Sequence, residues 1–145
     1  MKKNESSYDL HFDLAVNCYF IKHKGLFDLE ALMTRSTIVF EHPLFQPSVN
    51  SLIDFSDSVM EISSEELAKA GSVARDRVKI RGKAKELLIV NNLFSFGVSR
   101  EYMAHVASDV IVRKIVSSKD RFQIESVKSW LDLESTYSFP EFLNF

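Results

Sequence analysis

The sequence predicts an α/β fold, a mixed and mostly parallel sheet of about five strands with four helices in the order ββαβαβαβα. Two observations predict this fold. The first two strand-like runs are separated only by a short turn, which indicates an antiparallel hairpin. The later strand-like runs are separated by segments with a helical pattern, and such connections give right-handed crossovers between parallel strands.

Composition and charge exclude several classes of protein. The 145 residues suffice for one domain with a core, and 46% hydrophobic with 26% charged residues is typical of a soluble globular protein. A net charge of −2 argues against general nucleic-acid binding. The single cysteine, Cys18, cannot form an internal disulfide, which favours the cytoplasm. No run approaches the roughly 18 apolar residues of a membrane helix, so the chain is not expected to span a membrane.

The predicted elements follow from local patterns. The strands are residues 8–13, 17–25, 49–55, 86–92 and 109–117, and the helices are residues 27–40, 62–80, 95–107 and 120–134. In the first strand Tyr8, Leu10 and Phe12 alternate with polar residues. Asp28 is a good N-cap for the first helix, which ends before Pro43.

The second helix has the clearest start signals. Ser63 and Glu66 have the spacing of a capping box, and Ile62 and Leu67 have that of a hydrophobic staple. Gly82 suits the left-handed position that follows a helix.

The second half of the chain repeats the alternation of strand and helix. The continuous apolar run in residues 87–90 indicates a strand buried on both faces. The boundary between the third helix and the fifth strand stays open, since the helix could continue past Asp109. Asp120 is the expected cap of the last helix. The inward-facing residues of that helix are Ile124, Val127, Trp130 and Leu131.

Several strings occur in an order that resembles one known family over roughly residues 8–131. They are a hairpin ending in Gly25, SLIDFSD at the third strand, ISSEEL at the next helix, LLIVNN before FGVSREY, and a final SVKSWL. This set resembles the SpoIIAA-like branch of the STAS superfamily. The resemblance implies a SpoIIAA-like single domain over residues 1–135. Members include anti-sigma-factor antagonists, domains on anion transporters and small stand-alone bacterial proteins, and the branch is structurally similar to CRAL-TRIO lipid-carrier domains.

The resemblance does not extend to the phosphorylation motif of the antagonists, which carry an Asp-Ser-Ser-Gly-like string after the third strand. Here Asp54 is followed by Phe55-Ser56-Asp57-Ser58, with no glycine nearby. The phosphoserine of the antagonists is therefore not assigned to any residue of this chain. A separate hypothesis is that phosphorylation of Ser56 or Ser58 switches partner binding. Ser63 is interpreted as a helix cap.

Polar and aromatic residues follow the third and fourth predicted strands. In an open α/β sheet, ligands bind beyond the carboxyl ends of the strands. The residues expected to line a ligand or partner crevice there are Asp54, Phe55, Ser56, Asn91, Asn92, Phe94, Phe96 and Arg100. The alternative is that the aromatic residues only pack the third helix onto the sheet.

The remaining reactive residues match no catalytic or metal-binding motif. No histidine is spaced with another histidine or with Cys18 as metal ligands are, so no metal and no cofactor is expected. His11 and His23 are interpreted as polar-face strand residues, and the alternating cations of residues 75–85 as a solvated helix end. Asp54 and its acidic neighbours lack a catalytic partner, which favours a protein that is not an enzyme.

The predicted function is a non-enzymatic binding or regulatory module that acts through contacts with an unidentified protein partner. The alternative is a carrier or sensor of a small apolar or acidic ligand such as a lipid. A third option is an enzyme with a site around Asp54.

The last residues, 136–145, form an aromatic tail. A free tail rarely carries so many large apolar side chains, so it is expected to dock on its own domain or across a homodimer. These side chains are Tyr137, Phe139, Phe142, Leu143 and Phe145.

Overall fold

The structure, a computed structural model, describes residues 5–145 and confirms the mixed α/β fold. Its strands are β1 (Ser6–Asp13), β2 (Cys18–Asp28), β3 (Asn50–Glu61), β4 (Ala84–Val90) and β5 (Ile111–Ser117). Its α-helices are α1 (Leu29–Phe40), α2 (Ser64–Asp76), α3 (Val78–Arg81), α4 (Leu93–His105), α5 (Arg121–Glu125) and α6 (Val127–Trp130). Two short 3-10 helices lie at Leu14–Val16 and Glu141–Leu143.

The five strands form one sheet in the order β1-β2-β3-β4-β5. As predicted, β1 is antiparallel to β2, and the other neighbouring pairs are parallel. Helices α1, α2 and α4 share one apolar cluster, to which they contribute Ala31, Leu67 and Val98. They therefore cover the same face of the sheet, which we call the helix face.

The opposite face, the tail face, is covered by α6 and by the C-terminal tail. Val127 and Leu131 pack there with Leu143 against large apolar residues of the strands. The tail also contributes three half-buried aromatic side chains, Tyr137, Phe139 and Phe142. The Tyr137 hydroxyl donates to Asp13 Oδ2 at 2.8 Å, which ties the tail to the end of β1.

Strand β3 is longer than predicted, because it continues from residue 55 to Glu61 alongside β2. The register shifts between Lys22 and Lys24, so that β3 carries one extra residue there, a β-bulge. The bulge reverses the alternation of side chains. Met60 therefore points to the same face as Phe55, although the two are five residues apart. This reversal, together with the poor strand propensity of serine and aspartate, hides the extension from the sequence.

The predicted helix caps are confirmed, but two helices are interrupted. Asp28 accepts from the Ala31 backbone N–H at 2.9 Å, and Ser63 forms the complete capping box. The helix predicted over 62–80 divides into α2 and α3, and the one predicted over 120–134 divides into α5 and α6. Gly82 has the expected positive φ, 68°.

The described helices are all short. None of those within residues 5–145 combines the length and the apolar character needed to cross a membrane.

Candidate functional site

The structure brings Asp54, Ser56 and the asparagines together at the carboxyl edge of β3 and β4. Asp54 is fully buried, and its Oδ1 accepts from the Ser56 backbone N–H at 2.8 Å. Asn91 Nδ2 donates to the Ser56 carbonyl at 2.7 Å, which joins the end of β4 to the bulge. Asn92 caps α4 by accepting from the Ser95 N–H. Four of the predicted crevice residues thus hold the backbone of this edge in place.

A buried lysine accompanies Asp54. Lys22 Nζ lies 3.9 Å from Asp54 Oδ2 and 3.0 Å from Asp57 Oδ2. Burial raises the pKa of Asp54, although the Ser56 hydrogen bond and the Lys22 charge oppose this effect. The group is therefore a structural ion pair at the bulge, placed on the tail face.

The aromatic residues of the predicted crevice lie apart from this edge. Phe55 points to the helix face, where its ring stacks on His23 at 4.9 Å between centroids. Phe94 and Phe96 are exposed, and the Arg100 guanidinium lies 6.0 Å from the Phe96 ring. The eight predicted residues therefore divide among three places instead of lining one crevice.

The two candidate phosphosites differ in exposure. Ser58 is 3% exposed within β3, and its Oγ donates to the Phe55 carbonyl at 2.9 Å. A kinase could reach this hydroxyl only if the strand opened. Ser56 is half-buried, which makes it the more accessible of the two.

A separate space lies under the helices, and Phe55 is the predicted crevice residue that lines it. A cavity of about 110 Å³ separates the helix face of the sheet from α1, α2 and α4. The helices contribute small side chains at its wall, including Ser36, Ala70 and Ser99, which leave room that larger residues would fill. The main apolar residues of the wall are Ile21, Phe27, Phe55, Met60, Leu67 and Leu88.

One end of the cavity carries a buried charge network around Glu86. Arg81 Nη1 donates to Glu86 Oε1 at 3.1 Å, and Arg113 Nε donates to Oε2 at 2.6 Å. Burial by itself would raise the pKa of Glu86, but the two guanidinium charges outweigh it and lower the pKa to about 2. Glu86 is therefore charged at any physiological pH.

A second buried cation, Arg35, reaches the cavity from α1. Its Nη1 lies 2.9 Å from His23 Nδ1, and its Nη2 donates to the Ser6 hydroxyl. Burial and the nearby Arg35 charge lower the pKa of His23 to about 3, so the ring is neutral and accepts at Nδ1. Among residues 5–145, no carboxylate lies within ion-pair distance of Arg35.

Arg77 completes the cationic lining. It is half-buried, donates to Thr37 Oγ1 at 3.1 Å, and its guanidinium lies 5.0 Å from the Phe40 ring. The interpretation of residues 75–85 as a solvated helix end is therefore wrong for Arg77 and Arg81, which turn into the cavity wall. Three guanidinium groups and one carboxylate line the cavity, which leaves an excess of positive charge.

Sequence patterns contained signals for these residues. His23 follows Tyr19 and Ile21 at a period of two, so it shares their buried face and is not the polar-face residue that was expected. Arg35 lies four residues from both Ala31 and Val39, in the middle of the apolar stripe of α1. A charged residue in such a stripe indicates a buried cation with a specific environment.

The structure identifies neither a metal site nor a reactive thiol. Within the described part of the chain, no cluster of three or more histidine, cysteine or acidic side chains could hold a metal ion. Burial raises the pKa of the Cys18 thiol to about 12, so this thiol is not a nucleophile at neutral pH.

In comparisons with known proteins, no family model, curated protein or solved structure matches this chain.

Proposed function

We propose that this protein is a non-enzymatic binding module that holds a small apolar ligand in the cavity of the helix face. The observation that carries the proposal is the cavity itself, about 110 Å³ with mainly apolar walls. An engineered apolar cavity of about 150 Å³ stays dry and binds benzene. A ring or a short chain therefore suits this volume, whereas lipid-sized ligands occupy pockets of roughly 300 Å³ or more.

The titratable groups at the cavity favour recognition over catalysis. Glu86 has a pKa of about 2 and stays charged, and His23 has a pKa of about 3 and stays neutral. A general acid or base is most effective when its pKa lies near the working pH. These two groups are therefore suited to fixed hydrogen bonding and fixed charge, not to proton transfer.

Filling the cavity tests this function. Ala70 lines the cavity, and Ala68 lies exposed on the same helix, so Ala70→Leu and Ala68→Leu form a matched pair. We expect toluene to raise the melting temperature of the wild type and of Ala68→Leu but not of Ala70→Leu, because only the last loses the space. Native mass spectrometry of protein purified from cells should show the same contrast for any co-purified guest.

A second variant can replace Ala70→Leu if that protein folds poorly. Ala74→Leu fills the same cavity from a half-buried position one turn along α2. Circular dichroism identifies which variants are folded. The proposal fails if toluene stabilises the filled variants as much as the wild type, or if neither toluene nor a polar ring compound of similar size stabilises the wild type.

A second candidate function rests on the exposed start of α4. Leu93, Phe94 and Phe96 are 90%, 62% and 37% exposed, so three large apolar side chains meet solvent within two turns. Such a patch is typical of a protein contact. The same surface would serve the regulatory role that the SpoIIAA-like resemblance implies, with the half-buried Ser56 nearby in the fold through Asn91.

The contact function has its own matched variants. Phe94→Ser removes apolar surface from the patch, and Phe122→Ser removes a similarly exposed ring from α5. For a partner identified by cross-linking in cells, we expect Phe94→Ser to weaken binding at least about tenfold, as for a central interface aromatic. Equal binding by both variants removes this candidate and leaves the cavity function.

A further inference from the structure

Two residues that line the cavity each carry a buried polar atom with no hydrogen-bond partner within residues 5–145. These atoms are Arg81 Nη2 and Ser99 Oγ, and their side chains are only 6% and 3% exposed. A buried unpaired donor is costly, because it has given up its hydrogen bonds to water and gained none in return. Native proteins keep few such groups, and these two lie on residues that line a cavity, where a bound molecule can supply the partner. Both residues line the same cavity, and their donors reach a guest there when the Ser99 hydroxyl and the Arg81 guanidinium turn towards it.

The charges of the wall indicate the sign of that guest. Glu86 is the only carboxylate among the lining residues that the structure describes, and it is shared between Arg81 and Arg113. Arg35 and Arg77 have only neutral hydrogen-bond partners there. A buried cation is stable when an anion lies nearby. The cavity therefore has the positive potential that attracts a negative group.

We infer that the guest is a small carboxylic acid with an apolar body, bound as its carboxylate. Arg81 Nη2 and Ser99 Oγ turn towards the guest and donate to its carboxylate oxygens, and the ring or short chain occupies the apolar part of the cavity. This inference rests on the proposed function and adds the chemical class of the ligand to it.

Arg81 is the better anchor of the two deeply buried cations. Both terminal nitrogens of Arg35 already have acceptors, whereas Nη2 of Arg81 has none. A carboxylate matches the planar donor geometry of a guanidinium. A phosphate would bring a further oxygen and nearly a second charge into a cavity of about 110 Å³ with mainly apolar walls.

Three probes of similar shape test the inference by calorimetry: benzoate, benzamide and toluene. Benzamide keeps the ring but carries no charge, and toluene has neither charge nor polar atoms. We expect benzoate to bind at least about tenfold more tightly than benzamide, because hydrogen bonds to charged groups are the stronger ones. Binding of toluene or benzamide with no preference for benzoate overturns the inference and leaves the proposed function standing. Binding of none of the probes overturns both.

A serine pair on α4 locates the carboxylate. Ser99→Ala removes the unpaired hydroxyl, and Ser95→Ala removes a buried hydroxyl of the same helix that lies outside the cavity wall. We expect Ser99→Ala to weaken benzoate binding about tenfold and to leave toluene binding unchanged. The melting temperature of the free protein should not fall, because the lost hydroxyl made no hydrogen bond.

Arg81→Lys gives a second readout that does not depend on Ser99. Lysine keeps a positive charge near Glu86 but lacks the Nη2 donor, and Arg113 still binds Glu86. Benzoate affinity should fall about tenfold or more in this variant. If Ser99→Ala and Arg81→Lys both fold and bind benzoate as the wild type does, the assigned anchor is wrong.

Discussion

The two faces of the sheet are closed in different ways. On the tail face, large apolar side chains from the three central strands meet α6 and the C-terminal tail in an apolar core. On the helix face, α1, α2 and α4 leave a cavity of about 110 Å³ that is lined in part by buried charges. The tail face is closed mainly by apolar contacts, whereas the helix face has lost some packing, which a ligand in the cavity could restore.

Side-chain size explains the difference. The tail face receives Phe20, Leu52 and Leu87 from adjacent strands, which fill the space beneath α6. The helix face also receives large side chains such as Phe55 and Leu88, but His23 and Glu86 lie among them and small side chains of the helices lie above. Polar groups and small residues together prevent complete packing there. The comparison predicts that removing side chains from the tail face lowers the free energy of unfolding more than removing them from the helix face.

Removal of the tail should have the largest effect. Deleting residues 136–145 exposes the tail face and removes Leu143, which is 2% exposed, together with three half-buried aromatic rings. We expect a loss of at least about 5 kcal/mol, since each fully buried large side chain contributes roughly 1.5–3 kcal/mol. That loss is comparable to the whole stability of a small domain. Urea denaturation measures it.

Two controls complete this test. Phe145→Ala, at a half-exposed position of the same tail, should cost no more than about 1 kcal/mol. The mass in solution separates a tail that packs on its own domain from one that joins a homodimer. Unchanged stability after the deletion would show that the tail does not close the tail face.

Leu87 and Leu88 compare the two faces directly. They are neighbours in β4, both are almost fully buried, and they point to opposite faces. We expect Leu87→Ala to cost about 4 kcal/mol and Leu88→Ala about 2–3 kcal/mol, because a side chain beside an existing cavity has fewer contacts to lose. Equal losses in urea denaturation would show that the helix face is packed as tightly as the tail face.

Acid should weaken the helix face through His23. Its pKa is lowered from 6.5 to about 3 by burial and by Arg35, so the unfolded chain takes up this proton first as the pH falls. The stability contribution is therefore complete above pH 6.5 and is lost towards pH 3, at about 1.4 kcal/mol per pH unit.

Paired variants isolate this effect. His23→Gln keeps an acceptor for Arg35 but does not titrate, and His11→Gln changes an exposed histidine of β1. Urea denaturation at pH 7.5 and 5.5 should show a smaller loss of stability for His23→Gln than for the wild type or His11→Gln. The same loss in all three proteins would mean that His23 is not held neutral.

The smallest expected effect concerns the cap of α2. Ser63 Oγ accepts from the Glu66 N–H at 3.1 Å, so Ser63→Ala should cost about 1 kcal/mol. Ser64→Ala, at an exposed neighbouring position, should cost less than half of that. Binding of benzoate should be unaffected by either change. A loss of binding without a loss of stability would contradict the cap assignment and restore a functional role for Ser63.

Local patterns were sufficient for the architecture. Alternating or continuous apolar runs marked all five strands, and the caps at Asp28, Ser63 and Asp120 were found where the sequence placed them. These features depend on residues only a few positions apart, since a strand alternates with period two and a cap binds a backbone N–H three residues on. They can therefore be read without knowledge of the tertiary contacts.

The site depended on contacts between residues distant in the sequence. His23 is neutral because it lies beside Arg35, and Glu86 is charged because it lies between Arg81 and Arg113. The bulge in β3 exists only in its pairing with β2. The cavity arises where small residues of three helices meet over the sheet, and packing of that kind is decided only when the elements come together.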